Sequence, residues 1–395
     1  MMANSVFVLS ALRSAIGGFG GALKDTSPIE LGVSVASKAI AASKLDPEQI
    51  GHAVYGHVIH TEPRDMYSPR CIAMGAGMPE TSPAFQVNRL CGSGLQAVVS
   101  ACQLIELGDT QAALAGGVEV MSRSGYLLPN HRFGAKMGDG ALHDMMLGAL
   151  HDPFSGVHMG ITAENIADEY NISREEMDEF AISSQEKASA AAKAGYFKDQ
   201  IVPIEIKQRR ATIMFSDDEH IKPETTSQTL ANLRAAFKKD GSVTAGNASG
   251  INDGTASVVL ANEALTKTAG VEPLARIVSY GFGGVSPHIM GMGPVPATKM
   301  ALEKANLKIS DLDVIESNEA FAAQACAVSK ALSFPSDIVN PNGGAIALGH
   351  PVGATGAIIL TKLVHELHRI NARYGMATMC IGGGQGISVI VDAAI

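Results

Sequence analysis

Residues 88–117 have the sequence NRLCGSGLQAVVSACQLIELGDTQAALAGG, in the order loop, helix, strand and double glycine. Apolar residues recur at helical spacing over Leu95–Leu107, and the apolar run Ala112–Ala115 predicts a short buried strand. Residues 343–384, GGAIALGHPVGATGAIILTKLVHELHRINARYGMATMCIGGG, have the same order of elements. The two stretches together predict an α/β fold built from a duplicated unit.

A second pair of segments supports the duplication. Residues 44–58 (KLDPEQIGHAVYGHV) and 307–320 (LKISDLDVIESNEA) both give a turn, a short acidic segment and a strand. If a pseudo-twofold axis relates the halves, Cys91 and His350 occupy corresponding helix N-termini and lie near each other. The other elements predicted for the first half are a strand over Ser5–Ser10, a helix over Pro28–Ala42 and a strand over Ala53–Ile59.

The segment between the halves has a different character. It contains a predicted helix with a capping box from Ser173 to Glu176, which runs to Lys193 and ends at Gly195. An insertion of this kind commonly covers an active site, although its basic residues are equally typical of a solvated surface. These basic residues are Lys207, Arg209, Arg210, Lys222, Arg234, Lys238 and Lys239.

This pattern predicts three structural units. Residues 1–120 together with 250–272 form the N-terminal half, residues 121–249 form a loop domain over the active site, and residues 273–395 form the C-terminal half.

Composition excludes several classes of protein. Of the 395 residues, 46% are hydrophobic and 17% are charged, which is the opposite of a disordered chain. The formal charge of −9 and the absence of tryptophan argue against a nucleic-acid binder, which needs a basic surface and stacking aromatics. An anionic small substrate remains compatible with this composition if local lysines and arginines receive it.

Cysteine usage and the apolar pattern indicate a cytoplasmic protein. The start of the chain, MMANSVFVLSALRS, does not have the pattern of a signal peptide, and no run of eighteen apolar residues predicts a membrane span. An odd number of widely spaced cysteines fits reduced thiols better than a disulfide framework. They are Cys71, Cys91, Cys102, Cys326 and Cys380.

Cys91 is the first candidate for chemistry. It lies in a loop that enters a helix, where unpaired N–H groups and the helix dipole are expected to lower the pKa of a thiol. The flanking glycines allow a sharp turn and close approach of a substrate. The alternative for Cys91, and for any isolated cysteine, is a small buried residue with no chemical role.

Three further residues are candidates. Cys380 follows a predicted strand, Met376–Met379, beside a glycine-rich turn, which suits proton transfer next to an oxyanion site. The alternative of a phosphate loop fails because the glycine spacing does not match the dinucleotide fingerprint. If Pro351 is the first residue of a helix, His350 lies at the helix cap, where its imidazole can activate a thiol. The alternative is that His350 is an ordinary turn histidine with no chemical role. Asn318 can hold a water or a carbonyl oxygen, or cap a helix.

A metal site is not expected. The chain has no CxxC motif, and His365 and His368 lie three residues apart on a helix without a nearby cysteine.

Together these motifs resemble the thiolase family, and within it the branch of bacterial acetyl-CoA acetyltransferases and broad-range β-ketothiolases. Six motifs carry the resemblance, in the family's order and over nearly the whole chain. They are NRLCGSGLQA from Asn88, HMGITAENIA from His158, GNASGINDG from Gly246, NEAFAAQACAV from Asn318, GGAIALGHPVGATGA from Gly343 and CIGGGQG from Cys380.

The resemblance implies a fold and a mechanism. The thiolase fold has two similar halves in a five-layered αβαβα arrangement with an inserted loop domain. By the same resemblance, Cys91 takes the acyl group, His350 activates it, and Cys380 acts as acid and base. One oxyanion hole uses His350 and a water held by Asn318, and the other uses the backbone N–H groups of Cys91 and Gly382.

The resemblance also implies the partners. The substrates are acyl-CoA and free CoA, no cofactor is needed, and the assembly is a homotetramer, a dimer of dimers. At the position of Lys222 relatives often have an arginine against the nucleotide of the coenzyme, and a lysine lacks its bidentate and stacking geometry. The residues implied to line the pantetheine and acyl channel are Ser249, Ala248, Leu150, His158, Met159, Ala320 and Phe321.

The implied activity is that of a β-ketothiolase with a ping-pong acyl-enzyme cycle. Residues 62–66, 87–89 and 151–154 look closer to broad-range enzymes of polyester-storing bacteria than to acetoacetyl-specific ones. A decarboxylating ketoacyl synthase of the same superfamily is the nearest rival, and the second cysteine, Cys380, argues against it. A non-catalytic lipid carrier on this scaffold is expected to lack one of the three reactive residues, and none is missing.

Overall fold

The computed structural model describes residues 5–207 and 211–394, and its largest feature is a mixed sheet of ten strands. The basic residues Arg209 and Arg210 lie outside the described residues. The strands are β1 Val6–Arg13, β2 Gly17–Gly18, β3 His52–Gly56, β4 Ala84–Val87, β5 Ala112–Val120, β6 Tyr126–Leu127, β7 His143–Asp144, β8 Ile204–Lys207, β9 Thr212–Phe215, β10 Asn252–Asn262, β11 Ala275–Gly284, β12 Val314–Ser317, β13 Tyr374–Ile381 and β14 Gln385–Asp392.

The helices surround and separate the strands. They are α1 Pro28–Ser43, α2 Ser68–Gly75, α3 Ser93–Leu107, α4 Met145–Ala149, α5 Met159–Tyr170, α6 Arg174–Ala194, α7 Ser227–Ala231, α8 Glu263–Ala269, α9 Pro294–Ala305, α10 Ala322–Leu332, α11 Ala345–Leu348 and α12 Thr355–Arg369. Short 3₁₀ turns lie at Pro47–Gln49, Pro63–Tyr67, Met121–Arg123, Pro287–Met292 and Ile309–Asp311.

Strand pairing confirms the duplication predicted from the sequence. In the first half β3 runs parallel to β5, β5 antiparallel to β10, and β10 antiparallel to β1. The second half repeats this pattern with β12, β13, β14 and β11. Among the residues that the structure describes, the two half-sheets join where Phe7 lies opposite Arg276 and Val8 opposite Ala275.

The halves stack as five layers. Helix α1 packs on the outer face of the first half-sheet and α9 on that of the second, while α3 and α12 lie between the sheets. The central core joins Leu95 and Val98 of α3 to Leu360 and Leu363 of α12. By length and composition Leu90–Leu107 is the one described stretch apolar enough to cross a membrane, but its position makes it a core helix.

The helix of the central segment is confirmed, but its predicted capping box is only half formed. The Ser173 hydroxyl accepts from the Glu176 N–H at 3.1 Å, and Gly195 ends the helix with a φ of 78°. The carboxylate of Glu176 does not return to the cap as predicted. It pairs instead with Lys330 of α10 at 2.8 Å.

Several predicted strand boundaries are wrong, and β1 runs to Arg13 rather than Ser10. Strand β3 ends at Gly56 rather than Ile59, and β5 continues through Gly116–Gly117 to Val120. A Cβ on Gly116 would overlap the carbonyl of Ala256 on the next strand, so this glycine serves close packing and not a turn. Strand β13 runs to Ile381 because its ladder with β14 continues, so Cys380 lies inside the strand rather than after it.

Candidate active site

Cys91 lies in the turn between β4 and α3. The preceding Leu90 has a left-handed backbone with a φ of 46°, which is uncommon for a residue other than glycine. The Ser93 hydroxyl holds this turn by accepting from Arg89 N–H at 2.8 Å and donating to the Leu90 carbonyl at 2.6 Å. This strained turn leaves Cys91 half-buried, one residue before the helix cap at Gly92.

The pKa of the Cys91 thiol is shifted in the direction opposite to the sequence prediction. Burial raises the pKa of the thiol to about 11, although hydrogen bonds from the N–H groups of Gly382 and of Cys91 itself act in the opposite direction. The prediction that the helix N-terminus lowers this pKa is therefore wrong, because desolvation outweighs the donors. The resting residue is a thiol, and its activation requires a base.

His350 has the properties of that base. Its backbone N–H donates to Oδ1 of Asn252 at 2.9 Å, and its Nδ1 lies 2.6 Å from Oγ1 of Thr355. Its Nε2 has no hydrogen-bond partner among the described residues. Burial lowers the pKa of the imidazole to about 4, so the ring is neutral at physiological pH.

The position of His350 corrects one prediction. Helix α12 begins at Thr355, and Pro351 opens the turn before it rather than the helix itself. His350 is only 6% exposed, and it is not the helix-cap residue predicted from the sequence, since Ala354 precedes the helix. Its loop nevertheless lies beside the Cys91 loop: a Cβ on Gly94 would be 3.1 Å from the carbonyl oxygen of Gly353.

Cys380 is fully buried in β13, where it lies opposite Gly386 of β14. Burial raises the pKa of its thiol far above the usual range, and the neighbouring Cys91 adds to that shift. The turn that follows has positive φ at Gly383 (82°) and Gly384 (86°). This turn packs against the Cys91 turn, since a Cβ on Gly382 would be 3.0 Å from the Leu90 side chain, so the two cysteines lie at one junction.

Asn318 follows β12 and is 1% exposed. Its backbone N–H donates to the carbonyl of Thr378 at 3.0 Å. Neither polar atom of its side chain has a hydrogen-bond partner among the described residues. The alternative of a helix cap is wrong because α10 begins only after Phe321. A buried side-chain amide without partners fits a site for water or a ligand oxygen.

Most of the residues predicted to line the substrate channel are brought together. The Met159 N–H donates to the Leu150 carbonyl at 2.8 Å, and the Ser249 N–H to the Ala320 carbonyl at 3.0 Å. Ala248 and Phe321 form an isolated β-bridge. A Cβ on Gly382 would be 2.9 Å from the Met159 side chain, so this group reaches the turn beside Cys91.

His158 and Phe237 add an aromatic wall to this group. Their rings stack with centroids 4.6 Å apart, and Phe237 also meets Phe321 edge to face at 6.1 Å. Lys222 lies apart from them, with an exposed side chain and a backbone N–H that donates to Oε1 of Gln185 at 2.8 Å. Burial, together with the charge of Lys222, lowers the pKa of His220 to about 4. The His220 ring packs over Gly250, the residue after Ser249.

Sequence reasoning missed several residues of the site. Glu119 is fully buried in β5 and accepts from the N–H groups of Val58, Ile59 and Gly353 at 2.9–3.1 Å. A glutamate inside an otherwise apolar strand is a signal that could have singled it out. Thr355 and Asn252, which hold His350, lie within quoted motifs but were not singled out, because nothing in the sequence shows their contacts.

Comparison with known proteins assigns the family. The model of the thiolase N-terminal domain matches residues 6–264, and that of the thiolase C-terminal domain matches residues 271–393. The chain belongs to the thiolase family. The beta-ketothiolase BktB of Cupriavidus necator is 58% identical over 392 residues, which cover 99% of this chain and 100% of that protein.

Solved structures of thiolases agree with this assignment. The acetyl-CoA acetyltransferase of Bacillus anthracis has a TM-score of 0.97 at 46% identity, over 99% of both chains. The human mitochondrial 3-ketoacyl-CoA thiolase in complex with CoA has a TM-score of 0.96 at 44% identity, over 99% of this chain and 98% of that one. The predicted thiolase family, fold and acyltransferase class are confirmed.

Proposed function

We propose that this thiolase is a β-ketothiolase. It catalyses the reversible Claisen condensation of an acyl-CoA with acetyl-CoA, and the thiolysis of short-chain β-ketoacyl-CoA, through an acyl-Cys91 intermediate. The observation that carries this proposal is the packing of the Cys91 turn against the turn after Cys380: a Cβ on Gly92 would overlap the Ile381 side chain, and one on Gly382 would be 3.0 Å from the Leu90 side chain. This packing supports a nucleophilic sulfur beside an oxyanion donor and a second thiol.

Thiolysis begins with Cys91. His350 takes the proton of the thiol on Nε2, and the sulfur attacks the β-carbonyl carbon of the substrate. Charge on the resulting oxyanion is stabilised by the N–H groups of Cys91 and Gly382. The bond between the α- and β-carbons then breaks, which leaves an acyl-Cys91 thioester and the enolate of acetyl-CoA.

The remaining groups of the site stabilise the enolate and protonate it. The imidazolium of His350 and a water held by Asn318 stabilise the enolate oxygen, while Cys380 gives its proton to the α-carbon. After acetyl-CoA leaves, the Cys380 thiolate takes the proton of free CoA, whose sulfur attacks acyl-Cys91. The Cys91 thiolate that leaves takes back the proton held by His350, so the products are acyl-CoA and the Cys91 thiol, and condensation is the same path in reverse.

The proposed coenzyme channel runs along the residues that pack beside Gly382. Ser249 hydrogen-bonds the pantetheine, and His158 lies near the thioester end. Ala248, Leu150, Met159, Ala320 and Phe321 line the channel. Lys222 supplies charge near the nucleotide without the bidentate geometry of an arginine.

We further propose a range of short acyl chains rather than acetoacetyl-CoA alone. Two buried methionines, Met159 and Met290, belong to the hydrophobic cluster that contains Cys380 and Phe321. Methionine side chains change conformation at little energetic cost, so Met159 and Met290 can accommodate one more methylene of the acyl chain.

The assembly and compartment are proposals as well. A homotetramer, a dimer of dimers, is supported by exposed apolar side chains such as Tyr126, Phe133 (92% exposed) and Met137 (98% exposed) in one segment. Cytoplasmic location is supported by the five free cysteines. We also retain the division into residues 1–120 with 250–272, 121–249 and 273–395.

Thiolysis kinetics test the proposed function. The rates are measured on acetoacetyl-CoA, β-ketovaleryl-CoA and β-ketohexanoyl-CoA, each at several fixed concentrations of CoA. We expect turnover of all three, with parallel lines in double-reciprocal plots because the mechanism is ping-pong. Activity confined to acetoacetyl-CoA would contradict the broad range, and no activity on any of them would contradict the function.

A further inference from the structure

Lys362 forms a buried ion pair behind the candidate site. Its Nζ donates to Oε2 of Glu316 at 2.7 Å, and the two side chains are 3% and 1% exposed. The same Nζ donates to the carbonyl oxygen of Gly343, also at 2.7 Å. Desolvation of both charges largely offsets their attraction, so a buried pair of this kind adds little net stability. Its geometry, however, is sharply fixed.

The two acceptors of Lys362 belong to the two parts of one oxyanion site. Glu316 lies in β12, two residues before Asn318. Gly343 opens the segment that ends at His350. A single ammonium group therefore joins the strand that carries Asn318 to the loop that carries His350.

Helix α12 holds the other end of that loop. Thr355 lies seven residues before Lys362, two helical turns away on the same face. Its hydroxyl contacts Nδ1 of His350 at 2.6 Å. The segment from Gly343 to His350 is thus fixed at both ends by one face of one helix.

A small cavity connects these groups. Its volume is about 10 Å³, and its lining includes Glu316, Lys362, Asn318 and Thr355. A polar cavity of this size holds about one water molecule. Oε1 of Glu316 and both polar side-chain atoms of Asn318 have no hydrogen-bond partner among the described residues, so each can bond to such a water.

We propose that Lys362 is a positioning residue that sets the distance between Asn318 and His350. It acts on the enolate, which needs both residues at a set distance. Transfer of the acyl group to Cys91 needs His350 only as a base, which Thr355 still holds, and the N–H groups of Cys91 and Gly382. This inference rests on the proposed function. A lysine that only stabilises the fold would affect both reactions in proportion.

The variant Lys362→Met tests this, since methionine keeps most of the side-chain length but forms neither hydrogen bond. Two reactions are measured on the intact enzyme. Exchange of the acetyl-CoA methyl protons with D₂O reports the enolate, and acetyl transfer from acetyl-CoA to dephospho-CoA reports the Cys91 thioester. We expect exchange to fall about 10- to 100-fold, the scale for a misplaced oxyanion site. Acetyl transfer stays within about threefold, because Thr355 still holds His350 and the two N–H donors are untouched.

A double variant separates positioning from stability. Lys362→Met with Glu316→Gln removes both charges, so the melting temperature is expected to return toward that of the wild type. Exchange stays low, because the link to Gly343 is still missing. Lys267→Met, at an exposed ion pair on α8, is the matched control and leaves both rates unchanged.

The outcomes are distinct. Selective loss of exchange in the single and double variants supports the proposal. Equal loss of both reactions, no loss at all, or recovery of exchange in the double variant would overturn it. A wild-type enzyme that transfers no acetyl group would overturn the proposed function itself, and the role of Lys362 with it.

Discussion

Thr355 determines which nitrogen of His350 carries the proton. The Thr355 hydroxyl donates to the carbonyl of Pro351 at 2.8 Å, and its oxygen lies 2.6 Å from Nδ1 of His350. Because the hydroxyl has one hydrogen, Nδ1 must be the donor of the second bond. The neutral ring therefore has its lone pair on Nε2, the nitrogen that takes the proton of Cys91 in the proposed mechanism.

The first prediction removes this hydrogen bond. Thr355→Val keeps the shape of the side chain but leaves Nδ1–H without its acceptor, so the tautomer is no longer fixed. We expect kcat/KM for thiolysis to fall about 10- to 100-fold, part of the usual range for general-base catalysis. Thr355→Ser keeps the hydroxyl and serves as the control. Equal rates for the Val and Ser variants would contradict the role of this contact.

The second prediction concerns the pH dependence of Cys91 alkylation. Burial raises the pKa of its thiol to about 11 and lowers that of His350 to about 4, so the neutral pair predominates in the free enzyme. The thiolate fraction then rises about tenfold per pH unit between pH 6 and 9. Iodoacetamide modification, located on Cys91 by peptide mapping, is expected to follow that slope. A plateau below pH 8 would instead indicate a resting thiolate.

The third prediction concerns the aromatic wall of the coenzyme channel. Phe237→Ala removes the ring that stacks on His158 at 4.6 Å and contacts Phe321 at 6.1 Å. We expect KM for CoA to rise about tenfold with a smaller change in kcat, because lost packing weakens ground-state binding. Initial-rate kinetics measure this, with Phe237→Leu as the milder control. A loss confined to kcat would place Phe237 outside the channel.

The fourth prediction concerns the contact between the two central helices. A Cβ on Gly356 of α12 would overlap the backbone nitrogen of Leu95 in α3. Gly356→Ala should therefore cost about 3 kcal/mol of unfolding free energy, the upper range for overpacking a core. Gly284→Ala is the matched control, since nothing lies within 4 Å of its added Cβ. The unfolding free energies of the two variants are measured by urea denaturation. Equal values would mean that α3 and α12 can move apart at no energetic cost.

The duplicated fold could be predicted because it depends on local patterns that occur twice. Glycine and apolar spacing mark the helix over Leu95–Leu107 and its counterpart after His350, and the ladders of the structure pair both halves in the same way. Strand β5 was predicted to end before the glycines at 116 and 117, although it continues through them. These glycines are required by close packing between layers, and that contact is visible only in the assembled sheet.

The candidate site was predictable as a set of residues but not as an electrostatic environment. Motifs identified Cys91, His350 and Cys380, whereas the direction of the Cys91 pKa depends on how deeply the turn is buried. The contacts of Lys362 with Glu316 and Gly343 join residues from separate elements of the second half. A lysine on a helix usually lies at the surface, so nothing in the pattern of residues predicted that this one lies in the core.

Intact-mass measurement of the enzyme after brief mixing with acetyl-CoA tests the role of Cys91 most directly. A Cys91 nucleophile predicts a mass increase of one acetyl group on the wild type, lost on addition of free CoA and absent in Cys91→Ala. Cys71→Ala serves as the control and should still be acetylated. An acetylated Cys91→Ala enzyme that returns to its original mass with CoA would contradict the mechanism.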